Sequence, residues 1–128
     1  MSGVTGAIRA VANKRDVDLG IALYEISPDG RLFELSDFIG RASYAADMSK
    51  RTLLTPGKPF SVSLDQMTLF SKRVEKGSRL LLSVNVNKNA FAEINYGTGR
   101  DVSGEDIHDA SVPLQVRWLT SSYIDVRL

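Results

Sequence analysis

The chain has 128 residues, a length that buries roughly two-thirds of the unfolded surface and so closes one hydrophobic core, hence one domain. An apolar fraction of 43% beside 24% charged residues excludes a disordered or low-complexity chain. Sixteen Lys and Arg against fifteen Asp and Glu leave a net charge of +1, which excludes the electrostatic footprint of a nucleic-acid binder or of a protein held to an anionic membrane.

Apolar residues recur with period two in short runs bounded by Gly, Pro, Asp, Asn and Ser, so the chain reads as nearly all β. The first strand is expected over Thr5 to Ala12, with Ile8, Ala10 and Ala12 on one face. In the second, Leu19 to Ile26, apolar residues occupy both faces, as in a central strand. Ser27-Pro28-Asp29-Gly30 has the chemistry of a tight turn, and Arg31 to Leu35 returns from it. Phe38 to Tyr44 is read as a further strand, although Ala45-Ala46-Asp47-Met48 could open a helical turn. After the turn at Thr55-Pro56-Gly57, Phe60, Val62 and Leu64 alternate with Ser61, Ser63 and Asp65, the serines facing solvent.

Lys76-Gly77-Ser78 turns the chain into Arg79 to Asn87, where Leu80, Leu82, Val84 and Val86 share a face. Residues 88 to 109 break the alternation and read as a long loop. Val112, Leu114, Val116 and Trp118 then alternate, Thr120-Ser121-Ser122 turns, and Ile124, Val126 and Leu128 end the chain on the core side. About eight short strands without a long helix define an all-β protein, read here as a jelly-roll β-sandwich.

Candidate chemistry is sparse. The absence of cysteine removes disulfides, thiol catalysis and cysteine-bound zinc, and leaves the compartment open. With no stretch near the roughly 18 apolar residues of a membrane span, a soluble chain is expected, the cytoplasm being preferred. His108 is the only histidine, and no serine stands in a Gly-x-Ser-x-Gly elbow, so no catalytic residue is assigned. Asp101, Ser103, Glu105, Asp106 and Asp109 could offer oxygen ligands to calcium, but the spacing is not that of an EF-hand and a solvated acidic loop explains it as well. No metal or cofactor is therefore assigned.

Asp16 and Asp18 flank a strand start, where Asx-turns to backbone donors are expected. Lys72, Arg73 and Lys76 read as a solvated hairpin end. Gly97-Thr98-Gly99 is followed by neither a third glycine nor a helix, and is no dinucleotide fingerprint. Trp118, in phase with Val112, Leu114 and Val116, is assigned to the core. Tyr96, Arg100 and Asp101 are the candidate ligand contacts on the long loop, should the sandwich be a free-standing carbohydrate-binding module.

The run Asp16 to Arg31, with its strand followed by Pro28-Asp29-Gly30-Arg31, resembles the C-terminal domain of the Xaa-Pro dipeptidyl-peptidase and cocaine esterase group of serine hydrolases. Ser36-Asp37, Ile39, Arg41-Ala42 and Tyr44, then Leu54-Thr55-Pro56-Gly57-Lys58-Pro59-Phe60, are similar to its next segments. Phe70 with Val74, Lys76 to Leu80 and Leu82-Ser83-Val84, then Asn95-Tyr96-Gly97-Thr98-Gly99 and Ser122 to Val126, continue the match in order. The chain departs from the family where Gln66-Met67-Thr68 replace a Trp-Pro, where Asn89-Ala90-Phe91 lack a proline, and where a His-Pro before the last strand is missing.

The resemblance implies a galactose-binding-like jelly roll and a non-catalytic accessory role. The nucleophile, Asp and His of that group belong to an α/β-hydrolase domain, which becomes the expected partner, with homo-oligomerisation as a second possibility. Whether this chain is itself an enzyme stays open at this point, because no triad residue carries over.

Overall fold

The computed structural model describes residues 2–86 and 93–128, and among these it is all β, with seven strands in two antiparallel sheets and only short 3-10 turns besides. The strands are β1 (Gly3–Ala12), β2 (Asp18–Ile26), β3 (Leu32–Arg41), β4 (Pro59–Ser63), β5 (Arg79–Val86), β6 (Val116–Trp118) and β7 (Tyr123–Arg127). One sheet runs β3-β2-β5. In the other, β1 pairs with β4 on one side and with β6 and β7 on the other. The expected Asn87 end of the fifth strand and residues 88–92 of the long loop lie outside the described residues.

Alternation decides which faces meet. Val4, Ile8, Ala10 and Ala12 of β1 and Val62 of β4 turn inward against Leu19, Ile21 and Leu23 of β2, and Val17, Leu35, Ala42, Leu64, Met67, Phe70 and Val102 are buried with them. Each fully buried leucine contributes on the order of 2 kcal/mol or more over its exposed state, so this shared interior is what holds the sheets together. β2 lies at the centre of its sheet, bonded to β3 and β5 along its whole length, as its two apolar faces suggested. Among the described residues, however, no third layer covers its outer face at Ala22, Tyr24 and Ile26, which are half-buried.

The two strands expected between Arg31 and Tyr44 are a single one. Between the pairs Leu23↔Ser36 and Tyr24↔Glu34, Leu35 is an extra residue, a bulge that puts both Leu35 and Ser36 inside. That doubling broke the period of two. The strand also stops at Arg41: Ala42–Tyr44 form a 3-10 turn whose opening amide donates to the Val17 carbonyl at 2.9 Å.

The two strands at the end of the chain do not pair with each other. The turn at Leu119–Ser122 exists, closed by Ser122 N–H on Leu119 O at 3.1 Å, yet β6 and β7 both run antiparallel to β1 along the same edge. The turn is an excursion opposite Arg9, whose N–H donates to Ser122 Oγ at 2.8 Å and whose carbonyl accepts from the Leu119 amide at 2.9 Å. Trp118, assigned to the core by its phase, pairs with Ala10 in the register, but the three-residue edge strand leaves it 43% exposed and outside the core. Leu80, Val112 and Leu128, expected inside, are likewise exposed. Strand β6 begins only at Val116, because Ile107–Ser111 form a 3-10 turn and Val112 to Gln115 are irregular.

Candidate functional site

The loop from Glu93 to Gln115 carries the residues singled out for ligand or calcium binding, and its acids are turned on its own backbone. Glu105 accepts from the amides of Tyr96 at 3.0 Å and Thr98 at 2.9 Å and from the Thr98 hydroxyl at 2.5 Å. Asp101 caps the turn at Val102–Gly104 by accepting from Ser103 N–H and Oγ. Asp106 and Asp109 form a reciprocal capping box around Ile107–Ser111. The Asp106 amide and then Arg100, whose Nη2 lies 2.5 Å away, hold the Asp109 carboxyl below its ordinary range. The acids of this loop do not converge as calcium ligands, and among the described residues no group of three or more acids or histidines is placed to hold a metal ion.

Tyr96, Arg100 and Asp101 are each engaged differently. Tyr96 lines a cleft of about 370 Å³ together with Lys14, Arg15, Pro56 and His108. Lys14 is already spent there, donating to the Tyr96 carbonyl at 2.9 Å. Arg100 turns to Asp109, its carbonyl accepts from Arg51 Nη1 at 2.9 Å, and Asp101 is the cap just described. His108 points outward with its side chain 90% exposed, its Nδ1 3.1 Å from Asp106, a carboxylate that is itself 68% exposed. This pair opens a turn and encloses no reacting group.

Asp16 and Asp18 do much more than Asx-turns. Asp16 Oδ1 accepts the neighbouring Val17 amide at 2.9 Å, the local bond expected, but also the Ser43 amide at 2.9 Å. Its Oδ2 accepts from Ser43 Oγ at 2.8 Å and Arg51 Nη2 at 3.2 Å. Asp18 receives Arg41 through two bonds and Asn95 Nδ2 at 2.9 Å. Two buried carboxylates thus bind the start of β2 to the end of β3, to residue 51 and to the long loop. Sequence spacing showed no such links, because the partners lie 23 to 77 residues away.

The other missed group is Glu25, buried in phase with Leu19, Ile21 and Leu23, a phase that was the available signal. The Lys72 ammonium, the Ser78 hydroxyl at 2.6 Å and the Glu75 amide at 2.9 Å all donate to it. Those bonds, Lys72 first, pull its pKa down to about 2. Lys72 is therefore not part of a solvated hairpin end: it seals the sheet and lies 4.9 Å over the Phe33 ring.

Together these features define a β-sandwich whose polar chemistry goes into holding loops and strands in place. The family model for the X-Pro dipeptidyl-peptidase C-terminal non-catalytic domain matches residues 4–115. The chain belongs to this family. No individual curated protein matches it significantly.

Proposed function

We propose that this chain is the accessory domain of an X-Pro dipeptidyl-peptidase or a related serine esterase or acylase, packing on an α/β-hydrolase catalytic domain and helping to shape its pocket rim or its oligomer. Family membership supports this reading. The observation that carries it is His108: the only histidine lies exposed in a turn capped by an exposed Asp106, which suits neither a general base nor its orienting acid. The galactose-binding-like jelly roll belongs to the same proposal.

The test is turnover of an Xaa-Pro-nitroanilide and of an activated ester. The isolated chain is expected to show none. Joined to the catalytic domain of its own genome, it is expected to change KM or subunit association relative to that domain alone. Ester turnover by the isolated chain that disappears in His108→Ala would overturn the proposal. Immunoblotting of native cells with an antibody to the domain adds the size of the natural product.

A carbohydrate-binding module needs an aromatic face with converging donors. The cleft beside Tyr96 is the one feature favouring it, while Arg100 and Asp101 are engaged elsewhere. Titration calorimetry against a sugar panel separates the readings, with no saturable heat expected from an accessory domain.

A further inference from the structure

In the β3-β2-β5 sheet, β3 is an edge strand. The Ala42 amide donates to the Val17 carbonyl, and in an antiparallel ladder such bonded pairs recur at every second residue. Gly40 and Phe38, opposite Leu19 and Ile21, therefore turn their backbone groups toward β2. Those of Asp37, Ile39 and Arg41 point the other way, and none of them has a hydrogen-bond partner among the described residues. Sheet edges are commonly blunted by a bulge, a proline or a lysine. The Leu35 bulge does this for the first half of β3, whereas Ser36 to Arg41 carries none of these devices. A cleft of about 420 Å³, lined by Phe38, Ile39, Gly40, Tyr44, Met48 and Val62, lies along this stretch and leaves it open to another chain.

We infer that this stretch pairs with the same stretch of a second copy, antiparallel about a two-fold axis at Ile39, an inference that gives the oligomer of the proposed function its surface and rests on that part of it. Charge and symmetry select the occupant. With Ile39 opposite the partner's Ile39, Asp37 falls opposite the partner's Arg41, and the two-fold repeats that pair of opposite charges. Asp37 is exposed, and Arg41 binds Asp18 through Nε and Nη2, which leaves its Nη1 to meet the partner's carboxylate without releasing Asp18. The same register matches the backbone, because every outward N–H of Asp37, Ile39 and Arg41 then meets an outward carbonyl of the other copy. Ile39, 50% exposed, packs on its own counterpart, and Phe38 lies beside the partner's Gly40, where no side chain competes for space. The other edge strands lack this set. β4 opens on Pro59 and has no charged residue, Arg79 is the only charge of β5, and β6 is three residues long. β7 has Asp125 and Arg127, but Val126 between them packs against the core and leaves no apolar contact at the axis.

The test is sedimentation equilibrium of the chain from roughly 5 μM to 1 mM. A short edge pairing is a small interface, so a monomer–dimer equilibrium with a Kd on the order of 100 μM is expected. Ile39→Pro removes an outward amide that no bond within the copy uses, and proline is tolerated at such edge positions. It should weaken dimerisation at least about ten-fold with the urea midpoint unchanged. Asp37→Lys, which sets like charges opposite each other twice, should do the same. Because the chain has no cysteine, Ile39→Cys reports the register directly: residues opposite each other in a bonded pair lie within disulfide reach. Mild oxidation should link that variant into dimers at least about ten times faster than Ser61→Cys on the opposite sheet. Dimerisation that survives both Ile39→Pro and Asp37→Lys, or that Asp125→Lys abolishes instead, overturns the β3 pairing and leaves an oligomer standing. A chain that stays monomeric throughout overturns the pairing and the domain's part in the oligomer together. Neither result touches the accessory role on the catalytic domain, which the turnover assay tests.

Discussion

Arg41 grips Asp18 with two nearly parallel bonds, Nε to Oδ1 at 2.9 Å and Nη2 to Oδ2 at 3.0 Å, between the first residue of β2 and the last of β3. The carboxylate is 5% exposed and the guanidinium 29%. This geometry makes the pair directional as well as attractive. It aligns the strand ends beside which Asn95 anchors the long loop.

Removing one partner leaves a buried charge without its counter-ion, which costs about 3 to 5 kcal/mol when the site is fully enclosed. Since Arg41 reaches partly into solvent, Arg41→Met is expected to cost about 2 to 3 kcal/mol, read from urea unfolding. Asp18→Asn in the Arg41→Met background should restore part of this. A double-mutant cycle with no coupling between the two sites would refute the pair's role.

Glu25 sets an acid limit on stability. Its pKa is about 2 in the folded protein and 4.5 when unfolded. Its contribution is thus complete above about pH 4.5 and is lost as the pH falls toward 2, where the folded carboxylate also protonates. Unfolding midpoints measured from pH 6 to 2 should fall more steeply for the native chain than for Glu25→Gln. In Lys72→Met the decline should be shallower and end at higher pH, because the largest cause of the lowered folded pKa is gone.

Gly6 lies inside β1 at φ 134°, opposite Ile124. A Cβ there would meet the Tyr123 carbonyl oxygen at 2.3 Å, with only backbone to yield. Gly6→Ala is expected to cost about 2 to 4 kcal/mol, as strain plus loss of β7 pairing. Amide exchange should show β7 opening first. An unchanged melting temperature for Gly6→Ala would show that the edge relaxes freely.

The acids of the long loop are committed to amides, hydroxyls and Arg100, so millimolar calcium or a chelator should shift the melting temperature by less than about 1 °C, since a ligand stabilises only by its affinity for the folded state. Glu105→Ala, which frees the Tyr96 and Thr98 amides, should instead speed chymotryptic cleavage at Tyr96 several-fold. A calcium-dependent rise of several degrees would contradict the assignment of these acids as internal acceptors.

His108→Ala should change unfolding free energy by no more than about 0.5 kcal/mol, as for most exposed positions. The backbone cap made by Asp106 does not need the imidazole. A larger loss would place the ring in the fold, contrary to its exposure.

Period-two alternation determined the strands because a residue facing the other sheet must be apolar, and that demand is local: Ile8, Ala10 and Ala12, or Val62 and Leu64, carry it by themselves. Turn chemistry did the same at Ser27 to Gly30, closed by the Gly30 amide on the Ser27 carbonyl at 2.8 Å. The order of family segments from Asp16 onward was equally legible in the residues. What alternation cannot carry is the identity of the neighbouring strand. The Leu35 bulge joined two apparent strands into one, and β7 took the same edge as β6, because both depend on pairing across the sheet. Trp118 had the right phase and still stays half in water, since phase does not tell that its strand is three residues long and at the sheet's edge. The ties of Asp16, Asp18 and Glu25 to distant partners were invisible for the same reason: burial makes a carboxylate seek donors, but the fold alone decides which donors come within 3 Å.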